Sequence, residues 1–371
     1  MLLPKKIFSY ISLVSVLALA LINTANAGLY GFDSTNPYTA SEGILSMDYL
    51  PDYIPNYRAE MRDNLLMLIE YARSQNPNFQ ILVHEGQELL LKSRWEYDLE
   101  GYNRVRDREL GVHDPAFLFT SEIGTKAPEE GTAAYRYLKS INAVILNNVY
   151  CGNGIEENVT INNNLGFISI EQCSDKLALD SAITRSVLDH KVIYAFIDRK
   201  NAFKDTISQP IINDSARNIE KANQAQNITF ILEDSNYNSA EEMVSSISRS
   251  NHDIVIINPF FHNQKPFSPE DVRRMSFKRN GASRLIIAAL NVSEAAPSDY
   301  FWNHRWRKGN PSWLVRNSFV TDNALITRYW SEEWKQILSQ YMKDIIASGY
   351  SGILFTGIEN HNYFEHLTPL E

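Results

Sequence analysis

Basic residues are in the minority and nowhere bunched: 35 Lys and Arg stand against 44 Asp and Glu, a net charge of −9. Surfaces for nucleic acid or anionic membrane want clustered Lys and Arg, so neither partner is expected. Low-complexity tracts and long charge runs are absent. The 8 histidines show none of the usual zinc-ligand spacings. There is no nucleophile elbow and no phosphate-cradling glycine loop, so neither a metal nor a cofactor is expected. Cysteine is scarce, with only Cys151 and Cys173. Only one long apolar run exists, Ile7 to Ile22, and its 16 or so residues fall short of the ~20 that a membrane-spanning helix needs.

That run is the core of an export signal. Lys5 and Lys6 supply its positive flank, and Ala25-Asn-Ala27 is the small-x-small pattern that signal peptidase reads, with Gly28 the first mature residue. No Cys follows the site to take a lipid. The expected signal peptide is 1–27, the product is secreted or periplasmic, and no membrane span remains after cleavage. Removing 1–27 takes away two lysines and no acids, so the net charge falls from −9 to −11. In an oxidising compartment Cys151 and Cys173 can form a bridge closing a 22-residue loop, worth ~3 kcal/mol in the chain-entropy model. Two free buried thiols are the alternative.

Short apolar, β-branched runs alternate with stretches of helical spacing. Strands are expected at Phe79–Glu85, Ala116–Glu122, Ala143–Asn148, Gly166–Glu171, Ile228–Glu233, Ile254–Asn258, Arg284–Val292, Ala324–Tyr329 and Gly352–Ile358. Most are continuously apolar, as strands buried on both faces of a parallel sheet should be. Between them, Tyr57–Ser74 sets Met61, Leu65, Leu68, Ile69 and Ala72 on one helical face. Ser239, Ser268 and Ser331 each precede acids suited to a first helical turn. This many βα units favour a (β/α)8 TIM barrel. With slightly more than eight strand candidates, at least one is accessory. The polar stretch 200–226 reads as a linker between barrel parts at 28–199 and 227–371.

From Ile228 onward the chain resembles the polygalactosaminidase-type glycoside hydrolases, family 114. Ile254-Val-Ile-Ile-Asn-Pro with Phe267-Ser-Pro-Glu-Asp, and Asn291-Val-Ser-Glu-Ala, look like the family's second and third strand units. The most specific matches are Asp299-Tyr-Phe-Trp, Asn310-Pro-Ser-Trp-Leu and Arg328-Tyr-Trp-Ser-Glu-Glu-Trp-Lys; Gly349-Tyr-Ser-Gly-Ile-Leu-Phe-Thr looks like the fifth strand. The rest of the family pattern resembles earlier segments: Tyr71-Ala-Arg-Ser-Gln-Asn-Pro-Asn-Phe with Glu85-Gly-Gln-Glu-Leu, and Gly166-Phe-Ile-Ser through Ser174-Asp-Lys-Leu. The resemblance implies a circularly permuted barrel whose 200–226 stretch joins the family's termini.

It also implies a degraded catalytic set. Where the family carries acids, this chain has Asn258, Thr356 and Asn147, and the family's Glu-Ala-Glu is reduced to Glu294-Ala-Ala. The second catalytic acid falls in the region of Asp114 and Glu122. Carboxylates that remain for the mouth are Glu294, Glu359 and Glu85, the candidate catalytic residues. Asn258, Thr356 and Asn147 suit hydrogen bonds to a sugar. Tyr300, Trp302, Trp306, Trp313, Tyr329 and Trp330 are candidates to stack on sugar rings or to pack the rim. Three readings follow. One is a catalytically degenerate barrel binding a polysaccharide, a cell-surface glycan or another surface partner without cutting it. The others are an active endo-glycosidase on an amino-sugar polymer, and a protein-interaction scaffold.

Overall fold

The computed structural model describes residues 54–109, 130–152, 165–198, 202–204 and 211–368. The expected export signal, the strand expected at 116–122, Asp114 and Glu122 lie outside these. In chain order the strands are β1 (Gln80–His84), β2 (Ala143–Asn147), β3 (Gly166–Gln172), β4 (Val192–Phe196), β5 (Ile228–Ile231), β6 (Ile254–Ile257), β7 (Phe260–Phe261), β8 (Lys265–Pro266), β9 (Leu285–Asn291), β10 (Glu294–Ala295), β11 (Leu314–Asn317), β12 (Leu325–Thr327) and β13 (Gly352–Thr356). The longer helices are α1 (Tyr57–Gln75), α2 (Arg94–Glu109), α3 (Ala133–Ser140), α4 (Lys176–Leu188), α5 (Ala240–Ser248), α6 (Pro269–Met275), α7 (Glu332–Ser348) and α8 (His361–Leu367).

Eight of the strands form one parallel sheet in the order β4-β3-β2-β1-β13-β9-β6-β5. It curves into a nearly closed α/β barrel. Its first and last strands in sequence are neighbours, with Gln80 level with Gly352 and Val83 with Phe355. Gly352 has to be glycine here, because a Cβ would lie 2.3 Å from the Gln80 carbonyl oxygen. The hydrogen-bonded ladder is interrupted between β4 and β5. Aromatic rings cover that seam: Tyr194 lies 4.9 Å from Phe230 and 5.7 Å from Phe203, centroid to centroid.

Alternation along each strand sorts its side chains between two cores. Ile81 and Val83 of β1, Ile353 and Phe355 of β13, and Val255 and Ile257 of β6 face the helices. Leu82, Leu354, Ile254 and Ile256 face the barrel interior, with Ile145, Ile170 and Phe230. The helices close the outer core as their spacing suggests. Met61, Leu65, Leu68, Ile69 and Ala72 are all buried in α1, whose N-terminus is capped by Asn56. Ser239 and Ser268 cap α5 and α6, the latter through a reciprocal box with Asp271.

Three features differ from the sequence reading. The run Ala324–Tyr329 contains β12, which pairs antiparallel with β10 and β11 in a small separate sheet; it is the accessory strand. The eighth barrel strand is instead β4, whose Val-Ile-Tyr-Ala-Phe run carries the same β-branched and aromatic signal. The polar 200–226 stretch also packs on the barrel where it is described, with the Phe203 carbonyl accepting the Leu232 and Glu233 N–H groups past the C-terminal end of β5 and Ile219 and Ala222 lying at the base. Phe203, Ile219 and Ala222 join the interior core, and the Ala222 N–H donates to Gln80 Oε1 at 3.1 Å. Buried Lys278 ties the stretch down, donating to the carbonyls of Ser215 and Arg217, each at 2.9 Å, and pairing with buried Asp253. Cys151 and Cys173 form a disulfide at the ends of β2 and β3. Beside it, buried Glu171 accepts the backbone N–H groups of Tyr150 and Cys151 at 3.0 and 2.7 Å. Among the described residues no helix is long and apolar enough to cross a membrane.

Candidate functional site

In a (β/α)8 barrel, chemistry gathers at the C-terminal strand ends. Continuing the strand alternation past the last apolar interior residue places His84, Asn147, Asn258, Asn291 and Thr356 around the inside of the mouth. On these five strands the top interior position is therefore polar where the interior residue below it is aliphatic. His84 Nε2 and Asn147 Oδ1 are 3.2 Å apart, linking adjacent strand ends. Burial holds the His84 pKa below its ordinary value, against the opposing pull of Glu85 and Asn147, which keeps the ring neutral. Thr356 is 1 % exposed and its Oγ1 has no hydrogen-bond partner; Asn147 Nδ2 is likewise buried without one.

The segment between β9 and α7 forms one side of the mouth and carries Glu294 on β10. Glu294 is 5 % exposed. Its Oε1 accepts from Ser318 Oγ at 2.6 Å and Asn360 Nδ2 at 3.2 Å, and its Oε2 from Asn291 Nδ2 at 3.0 Å and Thr321 Oγ1 at 2.7 Å. Four neutral donors from three segments thus fix both oxygens of one carboxylate. Asn360 reaches it because Gly357, at φ 76°, turns the chain sharply after β13; a Cβ there would meet Asn291 Oδ1 at 2.2 Å.

The same turn presents Glu359. Part of this residue stays accessible, but its Oε2 is buried and without a hydrogen-bond partner. Burial raises its pKa to about 8, and the charges of Glu294, Glu85 and Glu88 add to the rise. Glu359 is therefore a neutral carboxylic acid at pH 7, close enough to Glu294 to feel its charge but not among the residues lining the cleft beside Glu294. Glu85 stands at the end of β1 in the left-handed region, φ 53°. Its Oε1 accepts the Asn147 N–H at 3.0 Å and its Oε2 the Gln87 amide at 3.2 Å, so it bridges β1 to β2 and adds charge near Glu359.

A cleft of about 290 Å³ opens beside Glu294, lined by Asn258, Asn291, Asn263, Thr321, Phe301 and Tyr341 together with Glu233, Asp299 and Asp322. Neither Lys, Arg nor His is among its lining residues. Asp299 has its pKa raised to about 6 by burial, a rise the Ala296 N–H opposes and Glu294 adds to. Asn258 turns back on its own loop: its Oδ1 accepts the Phe260 N–H at 3.0 Å and its Nδ2 contacts Asn263. Among the described residues no cluster of three or more His, Cys, Asp or Glu is arranged to hold a metal.

The aromatic candidates divide. Tyr329 is fully buried, its hydroxyl donating to the Tyr57 carbonyl at 2.8 Å, so it has no face for a sugar; it packs α1 against the accessory sheet. Trp330 is sandwiched near Tyr57 and Phe364, at 5.2 and 4.7 Å, in the same packing cluster. Tyr300 stacks on Phe260 at 4.3 Å and donates to Asp344 at 2.9 Å. Trp302 packs edge-on to Trp306, and Trp306 to Trp313, away from the acidic cleft.

With the geometry in place, comparison with known proteins adds reach but no activity. No protein-family profile matches the chain. An uncharacterised protein of Methanocaldococcus jannaschii is 25 % identical over 183 residues, 47 % of this chain and 50 % of that protein. Uncharacterised proteins of Thermotoga maritima and Deinococcus radiodurans are 26 % and 24 % identical over 98 and 110 residues, covering 26 % and 30 % of this chain and 29 % and 34 % of theirs. The chain thus spans at most half the length of these relatives.

Sequence reasoning missed Asn291, Ser318, Thr321 and Asn360, the donors around Glu294, and the cleft acids Glu233 and Asp299. Asn291 was legible as the polar residue ending an apolar strand. Ser318 and Thr321 lie 24 and 27 residues from their acceptor in a loop without periodicity, so no sequence signal marks them.

Proposed function

We propose that this is an exported, glycoside-hydrolase-like barrel that binds an amino-sugar polymer at its mouth. The observation that carries this reading is the lining of the cleft: Glu233, Glu294, Asp299 and Asp322, with asparagines between them and no basic side chain. Glu233 is offset by Lys204 at 3.0 Å, but no basic residue lines the cleft beside Glu294, Asp299 and Asp322. Amides and carboxylates suit sugar hydroxyls, and such carboxylates in a concave, partly apolar site favour a ligand with ammonium groups. A de-N-acetylated hexosamine polymer has both. The resemblance to the polygalactosaminidase-type family supports the same class. The interrupted ladder supports the circular permutation, because β4 and β5 would be the last and first strands of an unpermuted chain.

A second reading, hydrolysis, is favoured by Glu359. Glycoside hydrolysis requires a protonated carboxyl to donate to the glycosidic oxygen and an ionised one on the other side of the bond. Glu359, held neutral, fits the donor, and Glu294 the charged partner that attacks the anomeric carbon or draws a proton from water. Binding is placed first because Thr356 and Asn258 stand where the family carries acids, and neither exchanges a proton at neutral pH. The test is binding and cleavage of a galactosamine polymer by wild type, Glu294→Gln and Glu359→Gln. Binding that weakens in Glu294→Gln, without turnover, is expected. Turnover falling roughly 10²–10⁴-fold in Glu359→Gln establishes the second reading. A wild type that neither binds nor cleaves removes both and leaves a scaffold.

A further inference from the structure

A second cleft, of about 510 Å³, opens between the segment following β10 and the outer face of α7. One side is aromatic, with Tyr300, Phe301, Trp306 and Trp313. The other is a stripe of α7, Glu333, Gln336, Ile337 and Gln340, whose three- and four-residue spacings put them on one helical face. The Trp306 indole is held edge-on by Trp302 at 5.5 Å and Trp313 at 5.0 Å, and keeps part of its surface exposed. Gln336 and Gln340 are exposed opposite it. Tyr300 is fixed by Asp344, which also accepts from Gln340 Nε2 at 3.0 Å.

Immobilised rings facing side-chain amides fit a pyranose, whose C–H face packs on an aromatic plane while its hydroxyls bond to amides. The lining has no Lys or Arg to attract an anionic surface, and its one charge, Glu333, has the sign of the acidic cleft. Phe301 lines both cavities, so the groove adjoins the acidic cleft.

We infer that the Trp306–Gln336 groove is a second sugar subsite, taking further residues of the polymer bound at the mouth. The inference rests on the amino-sugar reading of the acidic cleft and adds that recognition depends on chain length. The test is titration calorimetry with a galactosamine disaccharide and a long galactosamine oligomer. Wild type should bind the oligomer more tightly. Trp306→Ala should lower oligomer affinity about tenfold, the loss of roughly one aromatic contact, and leave disaccharide affinity unchanged. Because Trp306 is wedged in a tryptophan cluster, Gln336→Lys is the companion variant: exposed on the helix, it should keep the melting temperature and weaken the oligomer by charge repulsion. Disaccharide binding with no gain on lengthening, or oligomer affinity unchanged in both variants, overturns the subsite and spares the mouth. Failure of wild type to bind either probe overturns the amino-sugar reading itself, and the subsite with it.

Discussion

Replacing Glu359 by Gln should make the protein more stable, and only above mildly acidic pH. The Glu359 carboxyl has an ordinary pKa of 4.5 in the unfolded chain and about 8 in the folded one. Below 4.5 both states hold the proton and the residue adds no pH dependence. Between 4.5 and about 8 the unfolded chain has released the proton while the folded one keeps it, so the folded state binds more protons and stability falls as pH rises. Above about 8 both are ionised and the whole penalty is present. Each pH unit between the two pKa values corresponds to ~1.4 kcal/mol, giving ~5 kcal/mol at most. Rearrangement and water entry around a buried charge relieve part of such a penalty, so we expect about 2–4 kcal/mol. Glutamine keeps the shape without the ionisation. Urea denaturation of both proteins at a series of pH values gives the difference directly. It should be close to zero at pH 4, grow in favour of Glu359→Gln, and level off above pH 8. A difference independent of pH would refute the reasoning, because it would mean that Glu359 ionises as freely folded as unfolded.

Reduction of the Cys151–Cys173 bridge, or its double replacement by Ser, should lower unfolding free energy by ~3 kcal/mol through the 22-residue loop it closes; equal urea midpoints with and without reductant would contradict this. Asp253→Ala should cost about 3–5 kcal/mol, because it leaves the Lys278 ammonium buried with carbonyl acceptors alone. Pairing it with Lys278→Met should recover much of that loss, read from the same denaturation curves. Mass spectrometry of protein recovered from the periplasm or medium should give an N-terminus at Gly28; an intact Met1 in membrane fractions speaks against cleavage.

The parts of the fold legible in sequence are those where a local pattern reports a local environment. Continuous runs such as Ile254–Ile257 and Gly352–Thr356 mark strands covered on both faces. The α1 stripe from Met61 to Ala72 marks one buried helical side. Ala324–Tyr329 carries a comparable apolar run, yet β12 lies in the accessory sheet, because composition reports burial and not which sheet supplies the partner. Tyr329 stays open between stacking and packing in the sequence for a related reason: an aromatic beside a strand end looks the same whether it faces a cleft or the Tyr57 carbonyl.

The residues alone determine that strands and helices alternate, that acids outnumber bases, and that polar side chains follow the apolar runs of β1, β2, β6, β9 and β13. Closure is tertiary, since β1 and β13 meet from opposite ends of the chain. So is the character of the carboxylates. Glu294, Glu359 and Glu85 are one residue type with one ordinary pKa, and spacing cannot rank them. Glu294 is held by donors that include Asn360, 66 residues away, whereas Glu359 has its Oε2 buried without a partner beside like charges, and its own backbone N–H only partly offsets the burial. Desolvation and Coulomb interactions act through space at a few ångströms, so only the folded chain decides which carboxyl keeps its proton.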